Sequence, residues 1–345
     1  MAAETGPAPA SGSLFPDTEP APPPTAVGAA RQDETIHALG RRLPASVRLG
    51  TSSWNFPGWQ NLVWDGHYTD KMLSQKGIAA YARHPLFGAV SLDRAFYQPL
   101  TAEQYRAYGE AVPSNFRYVV KAPAQVTDSL IRGTGGKGRA VNPDFLSPEQ
   151  AWRLCAEPAA EGLATRLGAL VFQFSPLMRD AIAQIDATID RLHAMLTAVA
   201  RVREHVPDSV LAVEVRDREW LGPRFIAALA DVGATYCLGL HPRLPPIDEQ
   251  LPILRRLWPG PFVCRWNLNM KHGVHGYERA RADYAPFDKL VDADETTREQ
   301  IARVAAGTAR AGQPVFVTIN NKAEGSAPCS VHALAERIVA RGTQG

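Results

Sequence analysis

The sequence predicts an α/β fold, a single TIM-like (β/α)8 barrel in which eight parallel strands form a closed ring. Strand-like and helix-like segments alternate along the chain, as in parallel β/α proteins. Each strand-like run is apolar along its length and polar where it ends, which is typical of the catalytic face of such a barrel. An open doubly wound sheet is the alternative, but the first strand is not followed by Gly-x-Gly-x-x-Gly, the turn that binds dinucleotides.

The amino-terminal segment differs from the rest in composition. Residues 1–44 are predicted to form a disordered tail rich in Pro and Ala, followed by the barrel domain at residues 45–342. Up to about Gln32 there is too little apolar surface to offset the entropy of ordering. The tail lacks the apolar core of a signal peptide, and no run along the chain is long and apolar enough to cross a bilayer.

Eight strand candidates follow the tail, separated by segments that can each hold a helix. Each is a short run of mainly apolar residues bounded by polar or turn-forming residues. The runs are 47–52, 89–94, 116–121, 169–174, 211–216, 234–241, 262–267 and 315–320. Eight strand–helix pairs in roughly 300 residues suit a barrel of about 250 residues with insertions.

The predicted helices carry signals of their own. Thr101 and Gln104 have the spacing of a capping box, in which the Thr hydroxyl and the Gln amide satisfy free backbone N–H groups. Apolar residues at helical spacing predict a long amphipathic helix over 180–203. The last two helices are predicted over 295–311 and 331–340.

Composition argues against several classes of function. The chain has 37 Lys and Arg against 35 Asp and Glu, a net charge of +2, so a nucleic-acid partner is not favoured unless a local patch near Arg132–Arg139 provides one. No membrane partner is predicted. The four cysteines contain no Cys-x-x-Cys pair, which argues against a zinc or redox motif and favours a reducing, cytoplasmic location.

Alternation along the strands predicts which polar side chains enter the barrel. Successive residues face opposite sides of a strand, and Val213 and Val215 belong against the helices, so Glu214 and Arg216 should face the barrel axis. Burying a charge costs free energy unless the charge is paired within the protein or binds a ligand. Polar side chains that face the barrel axis therefore indicate either a structural salt-bridge network or a binding site. The same reasoning turns inward Asp93, Lys121, Gln173, Arg265, Asn267 and Asn320, with His241 at the end of the sixth strand.

Several motifs carry a resemblance to a known family. They are Leu49-Gly50-Thr51-Ser52-Ser53-Trp54 with Pro57-Gly58-Trp59, Phe96-Tyr97, Tyr118-Val119-Val120-Lys121-Ala122-Pro123, Phe172-Gln173-Phe174, Glu214-Val215-Arg216 with Trp220, and Asn320-Asn321. By these motifs, from about Val47 to Ile338, the chain resembles the YecE-like proteins, domain of unknown function seventy-two. The resemblance implies a TIM-barrel-like fold and no defined activity. Ser91, Asp93, Asp128 and Asn267 depart from the family pattern, as in a divergent member.

The predicted function is that of an enzyme, a hydrolase, lyase or isomerase, acting on a small anionic or sugar-like substrate. The predicted catalytic residues are Glu214, Lys121 and Asp93. Glu214 would be the general base, and Lys121 would pair with an anion, act as an acid or form a Schiff base. Arginines suit bidentate recognition of carboxylate or phosphate. The predicted substrate-binding residues are Arg216, Arg265, Gln173, Asn320, Asn321, Tyr97, Trp54 and His241.

Two alternatives remain open at this point. The first is a noncatalytic barrel that binds a ligand or a nucleic acid. The second is a metal-dependent hydrolase or isomerase, in which His272 and His275 bind a divalent metal together with Asp93 or Glu214. No cofactor is predicted and no metal ligands are assigned, so a divalent metal belongs to the second alternative alone.

Overall fold

The computed structural model describes residues 25–133 and 138–342, and within these ranges eight parallel strands close a barrel. A two-stranded antiparallel hairpin, β4 with β5, follows the third barrel strand. The predicted (β/α)8 barrel is thereby confirmed, with every barrel strand overlapping a predicted run. The strands are β1 Val47–Thr51, β2 Ala89–Leu92, β3 Arg117–Lys121, β4 Leu130–Arg132, β5 Gly138–Val141, β6 Leu167–Gln173, β7 Val210–Glu214, β8 Thr235–Leu240, β9 Phe262–Trp266 and β10 Val315–Ile319.

The barrel closes where β1 pairs in parallel with β10. Around the ring the order is β1, β2, β3, β6, β7, β8, β9 and β10. A separate cluster of buried apolar side chains, which includes Val119, Ala212 and Val263, is contributed by the strands. These residues stand two positions before Lys121, Glu214 and Arg265. Because alternation is the rule in a strand, the charged side chains form the next layer towards the carboxyl ends.

Helices surround the barrel, and within the described residues no helix is both long and apolar enough to cross a membrane. The amphipathic segment predicted over 180–203 is interrupted, because Gln184 leaves the helical conformation. The α-helices are Glu34–Arg42, Asp70–Lys76, Ile78–Tyr81, Arg94–Tyr97, Ala102–Glu110, Ala124–Thr127, Pro148–Ala151, Glu157–Leu163, Arg179–Ala183, Ile185–Ala200, Val202–His205, Pro223–Asp231, Ile247–Arg256, Tyr277–Tyr284, Glu295–Arg310 and Ala327–Gly342. Trp152–Ala156 is a π-helical turn, and Pro57–Trp59, Ala164–Arg166, Arg218–Trp220, Met270–His272 and Asn321–Ala323 are 3-10 turns.

Part of the predicted tail belongs to the folded domain. Residues 1–24 lie outside the described residues, but helix Glu34–Arg42 packs against the last helix of the chain. Ile36 and Leu39 contact the core, and the Gln32 side-chain amide donates a hydrogen bond to the carbonyl oxygen of Leu62 at 2.9 Å. Residues 34–42, which the sequence assigned to the tail, thus form a helix that contacts the barrel domain.

The capping box predicted at Thr101 is present. The Gln104 N–H donates to Thr101 Oγ1 at 3.2 Å, and the Thr101 N–H donates to Gln104 Oε1 at 3.0 Å. We expect Thr101→Ala to lower the free energy of unfolding by about 1 kcal/mol, because a backbone donor loses its acceptor. Urea denaturation measures this, with Thr101→Ser as a control that keeps the hydroxyl. Equal losses in the two variants would contradict the capping role.

Candidate active site at the barrel mouth

Arg265, on β9, is the centre of a polar network at the carboxyl ends of the strands. Its Nη1 donates to Glu214 Oε2 at 2.8 Å and to Gln173 Oε1 at 3.2 Å. Its Nη2 donates to the two carboxylate oxygens of Asp93 at 3.0 and 2.8 Å. The structure thus brings together four predicted site residues that lie far apart in the sequence. Because Arg265 is only 2% exposed and its terminal nitrogens bind protein acceptors, it organises the site more than it offers donors to a ligand.

Glu214 is a fully buried carboxylate with both oxygens engaged. Oε2 accepts from Arg265, while Oε1 forms an ion pair with Arg216 and accepts from Asn267 Nδ2 at 3.3 Å. Burial by itself raises the pKa of a carboxyl, but here the two guanidinium groups outweigh it and lower the pKa of Glu214 to about 2. A carboxylate so strongly held in its ionised form is a weak proton acceptor. Glu214 therefore suits a fixed negative charge better than the predicted general base.

Arg216 differs from Arg265 in the donors that it keeps. Its Nη1 donates to the carbonyl oxygen of Val215 at 3.2 Å and pairs with Glu214. Its Nη2 and Nε have no hydrogen-bond partner among the described residues. The side chain is nevertheless buried. A buried guanidinium whose Nη2 and Nε are both free to donate is suited to bidentate contact with a carboxylate or phosphate.

Lys121 ends β3 and is buried without a hydrogen-bond or ion-pair partner among the described residues. Its side chain is 8% exposed, and it forms no hydrogen bond or ion pair with the described residues. Its Nζ lies 3.6 Å from the centroid of the Phe96 ring. Burial lowers the pKa of Lys121 to about 8, although Asp93 opposes the shift. The sequence did not predict the Phe96 contact, and the available signal was the Phe96-Tyr97 dipeptide that follows β2.

A cavity of about 730 Å³ opens beside Lys121. Phe96, Lys121 and Gln173 line it, together with Leu130, Ile131 and Arg132 of β4. Tyr97, predicted to bind substrate, lies at this cavity and is 83% exposed. Volumes between about 300 and 1,000 Å³ are typical of sites for small ligands. The cavity gives a small molecule access to the Lys121 amine.

His241 follows β8 and presents a neutral imidazole. Its Nδ1 accepts a hydrogen bond from the Arg243 N–H at 3.2 Å, which assigns the proton of the neutral ring to Nε2. Burial, and then the positive charge of Arg216, lower the pKa of His241 to about 4. Its ring stacks on Tyr277, with 5.9 Å between centroids. At neutral pH His241 therefore offers an N–H donor, and Tyr277 is a neighbour that the sequence did not predict.

Three of the predicted substrate-binding residues hold loops in place. Trp54 is buried and its Nε1 donates to the carbonyl oxygen of Leu73 at 3.1 Å. Asn321 is also buried and accepts from Trp59 Nε1 at 3.2 Å. Asn320 caps the turn that follows β10, since its side chain accepts a backbone N–H at 3.0 Å. These contacts engage the Trp54 indole N–H and the side-chain oxygens of Asn320 and Asn321, while Asn321 Nδ2 is buried without a hydrogen-bond partner among the described residues.

The histidines considered for a metal site have other surroundings. His272 Nε2 lies 2.8 Å from the hydroxyl of Tyr284, and the acidic groups that act on it are Asp283 and Asp292. Among the described residues no group of three or more His, Cys, Asp and Glu side chains is arranged to hold a metal ion.

A closed ring of eight parallel strands with charged side chains at their carboxyl ends defines a (β/α)8-barrel protein. The sequence profile of the family described as "Protein of unknown function DUF72" matches residues 48–344, and the chain belongs to that family. It is similar to solved structures of a DUF72 family protein from Enterococcus faecalis V583 (16% identity, 85% of this chain and 95% of that chain, TM-score 0.49) and of one from Thermotoga maritima MSB8 (19% identity, 84% and 98%, TM-score 0.49). No curated protein matches the sequence.

Proposed function

We propose that this protein is an enzyme that acts on a small anionic or sugar-like substrate by acid/base catalysis at the barrel mouth. The observation that carries the proposal is Lys121, a buried amine without a hydrogen-bond or ion-pair partner among the described residues, on the wall of a 730 Å³ cavity. Its pKa of about 8 lies near neutral pH. A group with such a pKa is effective in both donating and accepting a proton.

The charges of the site support an anionic substrate. With Lys121 protonated, the site holds three cations, Lys121, Arg216 and Arg265, against two carboxylates, Glu214 and Asp93. A buried excess of positive charge is unfavourable until an anion neutralises it. The free donors of Arg216 are the ones suited to contact that anion.

The roles of the two carboxylates follow from their exposure. The Asp93 side chain is 33% exposed and the Glu214 side chain is fully buried. A substrate can therefore reach Asp93, which accepts hydrogen bonds from Arg265 and from the Ser91 hydroxyl, the latter at 2.6 Å. We assign proton transfer to Lys121 and Asp93, and electrostatic support to Glu214. His241 would donate from Nε2 to a substrate oxygen.

Binding of the anion is tested by thermal unfolding of the wild type and of Arg216→Met with a panel of sugar phosphates and small carboxylates. At a hundredfold excess over its dissociation constant, a ligand stabilises the folded state by about 3 kcal/mol. We expect at least one compound to raise the melting temperature of the wild type by several degrees, and Arg216→Met to lose most of that increase.

Arg218→Met is the matched control, because Arg218 is an exposed arginine paired with Glu249 at 3.0 Å. This variant should respond to the ligand as the wild type does. Arg216→Lys provides a second variant that keeps a positive charge beside Glu214 if Arg216→Met unfolds. No stabilisation by any compound in the panel would contradict the proposal.

Turnover distinguishes an enzyme from a noncatalytic barrel. Each stabilising compound is incubated with the protein and followed by mass spectrometry and NMR. We expect wild type to convert at least one compound, and Lys121→Met to leave it unchanged. A compound that stabilises the wild type but is never converted would instead favour the ligand-binding alternative.

A further inference from the structure

We propose that Lys121 is a nucleophile that forms an imine with the carbonyl carbon of an aldehyde or ketone substrate. This inference rests on the proposed function and names its substrate class, a small anionic carbonyl compound. The amine ends a barrel strand, is 8% exposed and borders the 730 Å³ cavity. Its position is therefore fixed by the sheet, while its nitrogen is accessible to a small molecule.

The surroundings of Lys121 favour a neutral amine. A lysine in an ion pair keeps its proton, whereas burial without a partner disfavours the charged form. Lys271 forms an ion pair with Asp292, and Lys76 donates to the carbonyl oxygen of Thr25 at 2.9 Å. Lys121 has neither kind of contact with the described residues. At pH 7.5 about a quarter of an amine whose pKa is about 8 carries a free lone pair.

The chemistry needs no oxidant or reductant. The Nζ lone pair attacks the carbonyl carbon, the C=O π electrons move to oxygen, and a proton passes from nitrogen to oxygen to give a carbinolamine. The C–O bond then breaks, the hydroxyl leaves as water with the remaining nitrogen proton, and the C=N bond forms. We assign the transfer of these protons to Asp93, the partly exposed carboxylate of the site. Protonation of the imine makes it an electron sink for bond cleavage at the adjacent carbon.

Phe96 stabilises the Lys121 nitrogen in both of its cationic forms, the ammonium of the free lysine and the iminium of the protonated imine. The centroid of its ring lies 3.6 Å from Nζ. An aromatic face attracts the protonated amine. It accepts no proton, so the lone pair of the neutral amine stays available. An ammonium, and later an iminium, gains this attraction, while no carboxylate of the described residues forms an ion pair that would hold the proton on Nζ. The contact thus positions the amine and leaves it able to react.

The test is reductive trapping with sodium borohydride in the presence of glyoxylate or glycolaldehyde phosphate, two small anionic aldehydes. The chain has seven lysines, so peptide mass spectrometry can assign the label. We expect Lys121 to be labelled at least tenfold more than Lys76 and Lys271, with labelling that levels off just above pH 8. Lys121→Arg should lose this label, with the other lysines unchanged.

The two proposals fail in distinguishable ways. Labelling of Lys121 that does not exceed that of Lys76 with either aldehyde would overturn the imine. If anions still stabilise the wild type through Arg216 and are still converted, the acid/base proposal stands without a covalent step. If stabilisation and conversion are absent as well, both proposals fall.

Discussion

Arg265→Ala is expected to lower the free energy of unfolding by about 3–5 kcal/mol. The guanidinium joins Glu214 and Asp93 with donor–acceptor distances of 2.8 to 3.0 Å. Without it, the fully buried Glu214 keeps Arg216 as its ion-pair partner, but Glu214 and Asp93 both lose the guanidinium that joins them. The cost of keeping the Glu214 carboxylate away from water, with less positive charge beside it, then dominates the change in the free energy of unfolding. Urea denaturation of the two proteins at pH 7 measures the difference.

Two comparisons isolate the buried charge as the cause. The double variant Arg265→Met with Glu214→Gln should recover part of the loss, because both charges leave the interior together. Arg224→Ala removes an arginine that bonds Asp190 on the exposed surface, and solvent and salt screening should make its effect small. A loss in Arg265→Ala no larger than in Arg224→Ala would contradict the central role of Arg265.

The barrel and the inner layer of charges could be predicted because both depend on short-range pattern. Eight apolar runs with polar ends determine the number of strands, and β9 was predicted to within one residue of Phe262–Trp266. A period of two residues is enough to place Glu214 and Arg265 on the inner face. These features need no knowledge of which strands are neighbours.

The contacts within the site could not be predicted, because they depend on geometry across the barrel. Alternation gives the face of a side chain, but not whether Lys121 or Arg265 reaches Glu214. The structure resolves this in favour of Arg265. Beyond a strand end alternation no longer applies, so the sequence did not predict that Asn321 Oδ1 accepts hydrogen bonds from Trp59 and from the Ala327 N–H. Hairpin β4–β5 was missed for a related reason, since its strands are too short to show a pattern.

Lys121→Met is expected to raise the free energy of unfolding at pH 7 by as much as about 3 kcal/mol. The pKa of Lys121 falls from 10.5 to about 8 on folding, chiefly through burial. Between these values the unfolded chain binds the proton and the folded protein does not. The free energy of unfolding of the wild type should therefore rise with pH through this window. Below pH 8 the full cost of burying the protonated Lys121 amine is present. Methionine has similar length and no charge to bury.

The difference between Lys121→Met and the wild type should be largest near pH 7 and should shrink towards zero as pH approaches 10.5. Urea denaturation at pH 7, 8, 9 and 10 measures it, and Lys76→Met, at a lysine whose ammonium group is exposed, should give a difference that does not change with pH. A variant less stable than wild type at pH 7, or a constant difference, would contradict an unpaired buried amine. A gain in stability that accompanies loss of turnover would mean that Lys121 is retained for its chemistry, since neither packing nor an ion pair then accounts for it.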